Sequence, residues 1–66
     1  MNTIYTIERN DLTIAVFTDK QSAYCGWAML RKYGSKNVYY TLKAWHGDIA
    51  TDTDCETLEA FINETN

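Results

Sequence analysis

The sequence predicts an α+β fold: an antiparallel sheet of three strands, with room for a short fourth, and two helices in the order β-β-α-β-(β)-α. Three observations lead there. Residues 12–17 alternate with period two, residues 20–33 repeat with the helical period, and residues 37–45 return to alternation. Sixty-six residues make one compact domain, 1–66, whose core is small because a chain of this size buries only about 60% of its unfolded surface.

The first strand is read over residues 3–8, TIYTIE, which are mostly β-branched or aromatic. Arg9-Asn10-Asp11 is a polar break with two residues that tolerate turn conformations. LTIAVF, 12–17, follows, with Leu12, Ile14 and Val16 on one face and Thr13, Ala15 and Phe17 on the other. So short a break makes the two strands an antiparallel hairpin.

Thr18 and Asp19 are candidate N-caps for an amphipathic helix of about 14 residues. On the wheel Ala23, Gly26, Trp27, Met29, Leu30 and Tyr33 share a side, and Tyr24 falls among the polar residues. Gly34 stands where a C′ glycine ends a helix, and Arg31 and Lys32 complement the dipole of its last turn. Gly26 costs about 1 kcal/mol against Ala inside a helix, which implies close approach of helix and sheet.

The third strand is NVYYTLKAW, 37–45, with Val38, Tyr40, Leu42 and Ala44 on one face and Tyr39, Thr41, Lys43 and Trp45 on the other. His46-Gly47-Asp48 is a turn and 49–51 a short returning strand. Thr53-Asp54-Cys55-Glu56 reads as a capping box opening a second helix, with Cys55, Leu58, Phe61 and Ile62 as its apolar stripe. The first helix is expected over Leu12/Ile14/Val16 and Val38/Tyr40/Leu42. The second is expected on the far face or at an edge, and an edge position leaves Phe17, Tyr39 and Trp45 as an open aromatic patch.

Charge is divided sharply along the chain. Residues 1–45 hold all six cations against three carboxylates, for a net of +3. Residues 46–66 hold six carboxylates, Asp48, Asp52, Asp54, Glu56, Glu59 and Glu64, and no cation, which brings the chain to −3. An overall pI near 4.8 weighs against direct nucleic-acid binding despite Lys43 beside Tyr39 and Trp45, because phosphate contacts supply most of such affinity.

Catalytic chemistry has little to work with. His46 is the one histidine, and it reads as a surface turn residue more readily than as a base oriented by Asp48 for Cys25 or Cys55. One His, two Cys about 30 residues apart and scattered carboxylates match no zinc pattern. The run Asp48, Asp52, Asp54, Glu56 lacks the glycine and final glutamate of an EF-hand loop. The glycines are isolated, so no phosphate-cradling loop is present. No catalytic residue, metal or cofactor is therefore expected. The longest aliphatic or aromatic run is four residues, so the chain reads as cytoplasmic, with both thiols reduced and buried, and as a monomer.

What remains is protein binding. An unneutralised acidic segment attracts a basic surface, and exposed Tyr and Trp supply anchoring area. A small acidic chain with the 46–66 acidic segment, surplus aromatic residues and no catalytic set resembles the small bacteriophage anti-defence proteins of the anti-CRISPR type. The resemblance implies a non-enzymatic inhibitor that binds a basic, nucleic-acid-handling host protein, a CRISPR-Cas effector subunit first of all. It implies Asp48, Asp52, Asp54, Glu59 and Glu64 as the working carboxylates, standing in for phosphates, flanked by Tyr24, Tyr39 and Trp45. The positive charge of residues 1–45 departs from mimicry of DNA over the whole surface and favours a smaller acidic patch. The alternative is an adaptor or antitoxin-like module that binds through an aromatic sheet face.

Overall fold

The computed structural model of the chain describes residues 3–53 and 55–64, the side chain of Glu64 excepted. It has two layers. The strands β1 (Thr3–Arg9), β2 (Leu12–Phe17), β3 (Tyr40–His46) and β4 (Ile49–Thr53) form one antiparallel sheet in the order β2-β1-β3-β4. The helices α1 (Lys20–Tyr33) and α2 (Leu58–Glu64) both lie on one face of it.

Asn10 and Asp11 join β1 to β2 in a two-residue turn, both with positive φ, 51° and 70°. Asn and Asp enter that region at least cost among the residues with a side chain. The ladder then carries a bulge. Ile7 pairs with Ala15 but Glu8 pairs with Thr13, so Ile14 is the extra residue.

Pairing across the ladder places Phe17 and Ala15 on the side of Tyr5 and Ile7, which is the helical side. The expected inward set of β2 is thus not the one that packs: Val16 faces away from the helices, Ile14 is the bulged residue and Leu12, opposite Arg9, lies at the start of the strand, and they are 62%, 46% and 71% exposed. Both sets in this strand are apolar, so alternation alone does not choose between them. Gly26 does. A Cβ at that position would stand 3.0 Å from Phe17 Cζ and 3.6 Å from Ile7 Cδ1, so the hydrogen of glycine is what lets α1 settle onto the Phe17 ring.

Asp19 caps α1, its carboxylate accepting the Ser22 N–H at 2.8 Å, and that bond holds its pKa below the ordinary carboxylate value. At the other end the Gly34 N–H donates to the Leu30 carbonyl at 2.8 Å, but φ is −77°. Glycine is needed there for space rather than handedness, since a Cβ would press on the Leu30 carbonyl and the Tyr40 hydroxyl.

The buried stripe of α1 is rotated from its expected position. Ala23 and Trp27 are buried and Tyr24 and Leu30 half-buried, while Met29 and Tyr33 are exposed. The cause is α2, which docks beside α1. Phe61, fully buried, stacks on Tyr24 at 5.9 Å and meets the Tyr5 ring edge-on at 5.8 Å. The second helix therefore lies on the same face as the first, not on the far face or at an edge. Burying Phe61, Ile7 and Leu42 stabilises the fold by about 1.5–3 kcal/mol each. Cys55 is buried as expected, but Cys25 is exposed on the outer side of α1.

The strand expected from residue 37 begins at Tyr40, because Ser35–Asn37 make the turn out of α1, closed by Val38 N–H donating to the Ser35 carbonyl. Gly47, with φ 69°, lets His46 pair with Ile49 across a two-residue turn. The fourth strand is real and runs to Thr53. That displaces the expected capping box: the buried Thr53 hydroxyl donates to the Leu42 carbonyl at 3.1 Å, inside the sheet. Thr57 caps α2 instead, its Oγ1 accepting the Ala60 N–H at 3.1 Å. A β-branched residue opposite Leu42 completes the ladder, so α2 begins later, at Leu58. Asp54, part of the expected box, lies outside the described residues.

Candidate functional site

Both helices cover one face, so among the described residues no helix covers the other, although Thr6 and Glu8 in its middle are buried, each 8% exposed. Its side chains stand in three rows set by the strand register. Ile4, Trp45 and Ala50 make the first row. Val16, Thr6, Lys43 and Asp52 make the second, and Thr13, Glu8 and Thr41 the third.

Polar bonds tie the middle of this surface together. Trp45 Nε1 donates to Thr6 Oγ1 at 2.8 Å, which fixes the indole on the strand beside it. Lys43 Nζ lies 3.2 Å from Glu8 Oε1. The hydrogen bond to Glu8 raises the Lys43 pKa above its ordinary value, and the carboxylates of Asp52 and Asp11 add to it. Around this centre stand Ile4, 42% exposed, and Val16 at the β2 edge. A pre-oriented indole beside exposed aliphatic side chains, with a charged pair on the same strands, suits a protein surface better than a small molecule.

The eight residues expected to bind a partner are divided by the fold. Asp52 and Trp45 share the open face, in neighbouring rows. Asp48 is exposed in the β3–β4 turn. Glu59 is exposed in the first turn of α2, in the other layer. Glu64 ends α2, its side chain outside the described residues, as Asp54 is altogether. Tyr24 is half-buried: its hydroxyl donates to the Glu56 carbonyl at 2.6 Å and its ring packs on Phe61 and Trp27. Tyr39, 76% exposed, precedes β3 at the end of the sheet. Phe17, which an edge position of α2 would have left with Tyr39 and Trp45 on an open patch, is under α1. Ile4, Thr6, Glu8 and Val16 were not expected on a surface site. Their signal was the doubly apolar β2, which must expose one of its two faces.

His46 is exposed at the end of β3, with Nδ1 3.3 Å from Thr3 Oγ1. Among the described residues no three His, Cys, Asp or Glu side chains gather as a metal site, and no helix is long and apolar enough to cross a membrane. Comparison with protein-family models, with curated proteins and with solved structures finds no match.

Proposed function

We propose that the chain is a non-catalytic module that binds another protein through the open face of its sheet. The observation that supports this is the stacking of both helices on one side, which leaves Ile4, Val16 and the Thr6-anchored Trp45 facing outward. A partner suited to it presents an apolar contact for Trp45 and polar groups for Lys43 and Asp52. Val16→Glu tests it. Val16 is 62% exposed, so the variant keeps its fold while losing the partner captured and identified with the native chain, in added salt as well as without it. Retention of that partner by Val16→Glu sinks the sheet-face reading.

A second reading keeps the acidic surface. Asp48, Asp52, Glu56 and Glu59 are exposed and form no ion pair among the described residues. That supports inhibition of a basic, nucleic-acid-handling host protein such as a CRISPR-Cas effector subunit, through a negative field rather than one compact patch. Under this reading Asp48→Lys with Glu59→Lys abolishes a salt-sensitive complex that Val16→Glu leaves intact.

A further inference from the structure

Two hollows of about 290 and 240 Å³ open in series at the end of the sheet where β3 begins, and both have Arg31, Tyr39 and Tyr40 in their walls. The first lies where β3 has lost its outer neighbour, since β4 pairs only as far as Leu42 with Thr53. Trp27 from α1 closes that stretch of strand edge, its Nε1 donating to the Tyr40 carbonyl at 3.1 Å. The Arg31 guanidinium lies over the Trp27 ring, 4.5 Å from its centre, and forms no ion pair among the described residues.

A guanidinium laid on an indole keeps its N–H donors around its rim, in the fork that matches a carboxylate. The second hollow adds Lys36, and Tyr39 offers an exposed ring between the two. Asp52 closes the first hollow on the other side. Its charge, with the chain's net −3, opposes a run of phosphates filling both hollows, so any attraction for an anion comes from Arg31 and Lys36 alone and suits isolated carboxylates.

We propose that this groove binds an acidic peptide segment, one carboxylate forked onto Arg31, a second near Lys36, and an apolar side chain against Tyr39. The groove borders the open sheet face at Thr41 and Asp52, but Arg31, Lys36 and Tyr39, the groups that would hold the peptide, lie outside that face's rows. The molecule's two tryptophans distinguish them, Trp27 in the groove and Trp45 on the face.

The probe is a short glutamate-rich peptide with a capped N-terminus, a matched glutamine-rich peptide and a thymidine oligonucleotide. Indole N–H signals are followed by NMR and affinities by anisotropy of the labelled peptide. The glutamate peptide is expected to move the Trp27 signal and leave Trp45 in place. Arg31→Met, which keeps the helix former and the apolar stem, weakens the Kd about tenfold or more, and Lys36→Gln weakens it less. Movement of neither signal, movement of Trp45 instead, or equal binding of the glutamine peptide overturns the proposal. So does unchanged affinity in both variants. An oligonucleotide that moves Trp27 more strongly than the peptide assigns the groove to nucleic acid and overturns it as well.

Discussion

The two faces of the sheet both carry large apolar side chains and have opposite fates. On the helical face Tyr5, Ile7, Leu42 and Ala44 are at most 3% exposed, sealed by Trp27 and Phe61. On the other, Ile4, Val16 and Trp45 stand beside a lysine, two carboxylates and three threonines. The open face is the more polar, but that does not account for Ile4, Val16 and Trp45 staying outside. The difference lies in where the helices find complementary shape: Gly26 over Phe17, Phe61 between Tyr5 and Tyr24.

The largest effect that separates the faces is expected from truncation in the sealed one. Phe61→Ala removes the ring that joins α2 to both α1 and β1, at a cost of about 3–5 kcal/mol, most of the stability of so small a domain. Denaturant unfolding should find it at best marginally folded. Val16→Ser on the open face should change stability by no more than about 0.5 kcal/mol. Comparable losses in the two variants would mean that the open face is packed as tightly as the core.

Gly26→Ala comes next. Helix propensity favours Ala by about 1 kcal/mol, but a Cβ 3.0 Å from the Phe17 ring overpacks the contact by about 1–3 kcal/mol, for a net loss of about 1 kcal/mol. Phe17→Leu in the same chain should relieve the clash, so thermal melts of the single and double variants measure how closely α1 sits on the sheet. Stabilisation by Gly26→Ala alone would place α1 farther away.

The start of α2 gives a smaller contrast. Thr57→Ala should cost about 1 kcal/mol through loss of the cap, with a loss of helical circular dichroism confined to the last turn-forming segment. Thr53→Val should cost a similar amount, about 1 kcal/mol, by leaving the Leu42 carbonyl without its hydroxyl donor, yet leave the helical signal alone. The reverse pattern would restore the capping box at Thr53.

The smallest effect is set by pH, and it also discriminates the faces. Burial raises the Tyr5 phenol on the sealed side above its ordinary value, and Glu8 raises the Lys43 ammonium on the open side. A raised folded-state pKa means that the stabilisation is complete below the unfolded value and lost as pH climbs through the folded one. Both groups therefore destabilise the fold only in alkali, beginning near pH 10 where unperturbed tyrosine titrates. Urea midpoints at about pH 8 and about pH 10.5 should fall in the native chain and fall less in Tyr5→Phe. An equal fall in Tyr5→Phe would assign the alkaline loss to Lys43 and the open face.

Strand and helix identities were legible because they rest on local periodicity and on short-range chemistry. The Asn10-Asp11 turn, the Asp19 cap and the Gly47 hairpin each involve residues only a few positions apart. The site was less so. Of the residues picked from charge and aromatic content, Trp45 and Asp52 reached one surface, while Tyr24 was claimed by the contact between the helices. Glu59 and Asp48 went to a different layer and to a hairpin tip. Charge counted along the chain says nothing about which side of a sheet receives it.

By itself the sequence determined the element order, the antiparallel hairpins and the need for close contact at Gly26, since each follows from backbone preferences or from the period of a few neighbouring residues. Only the tertiary structure decided that both helices share one face, that β2 turns Ala15 and Phe17 inward, and that Thr53 belongs to the sheet. Those choices depend on packing between segments far apart in the chain. Two apolar faces of one strand are equivalent until a helix with a glycine at the right place settles on one of them.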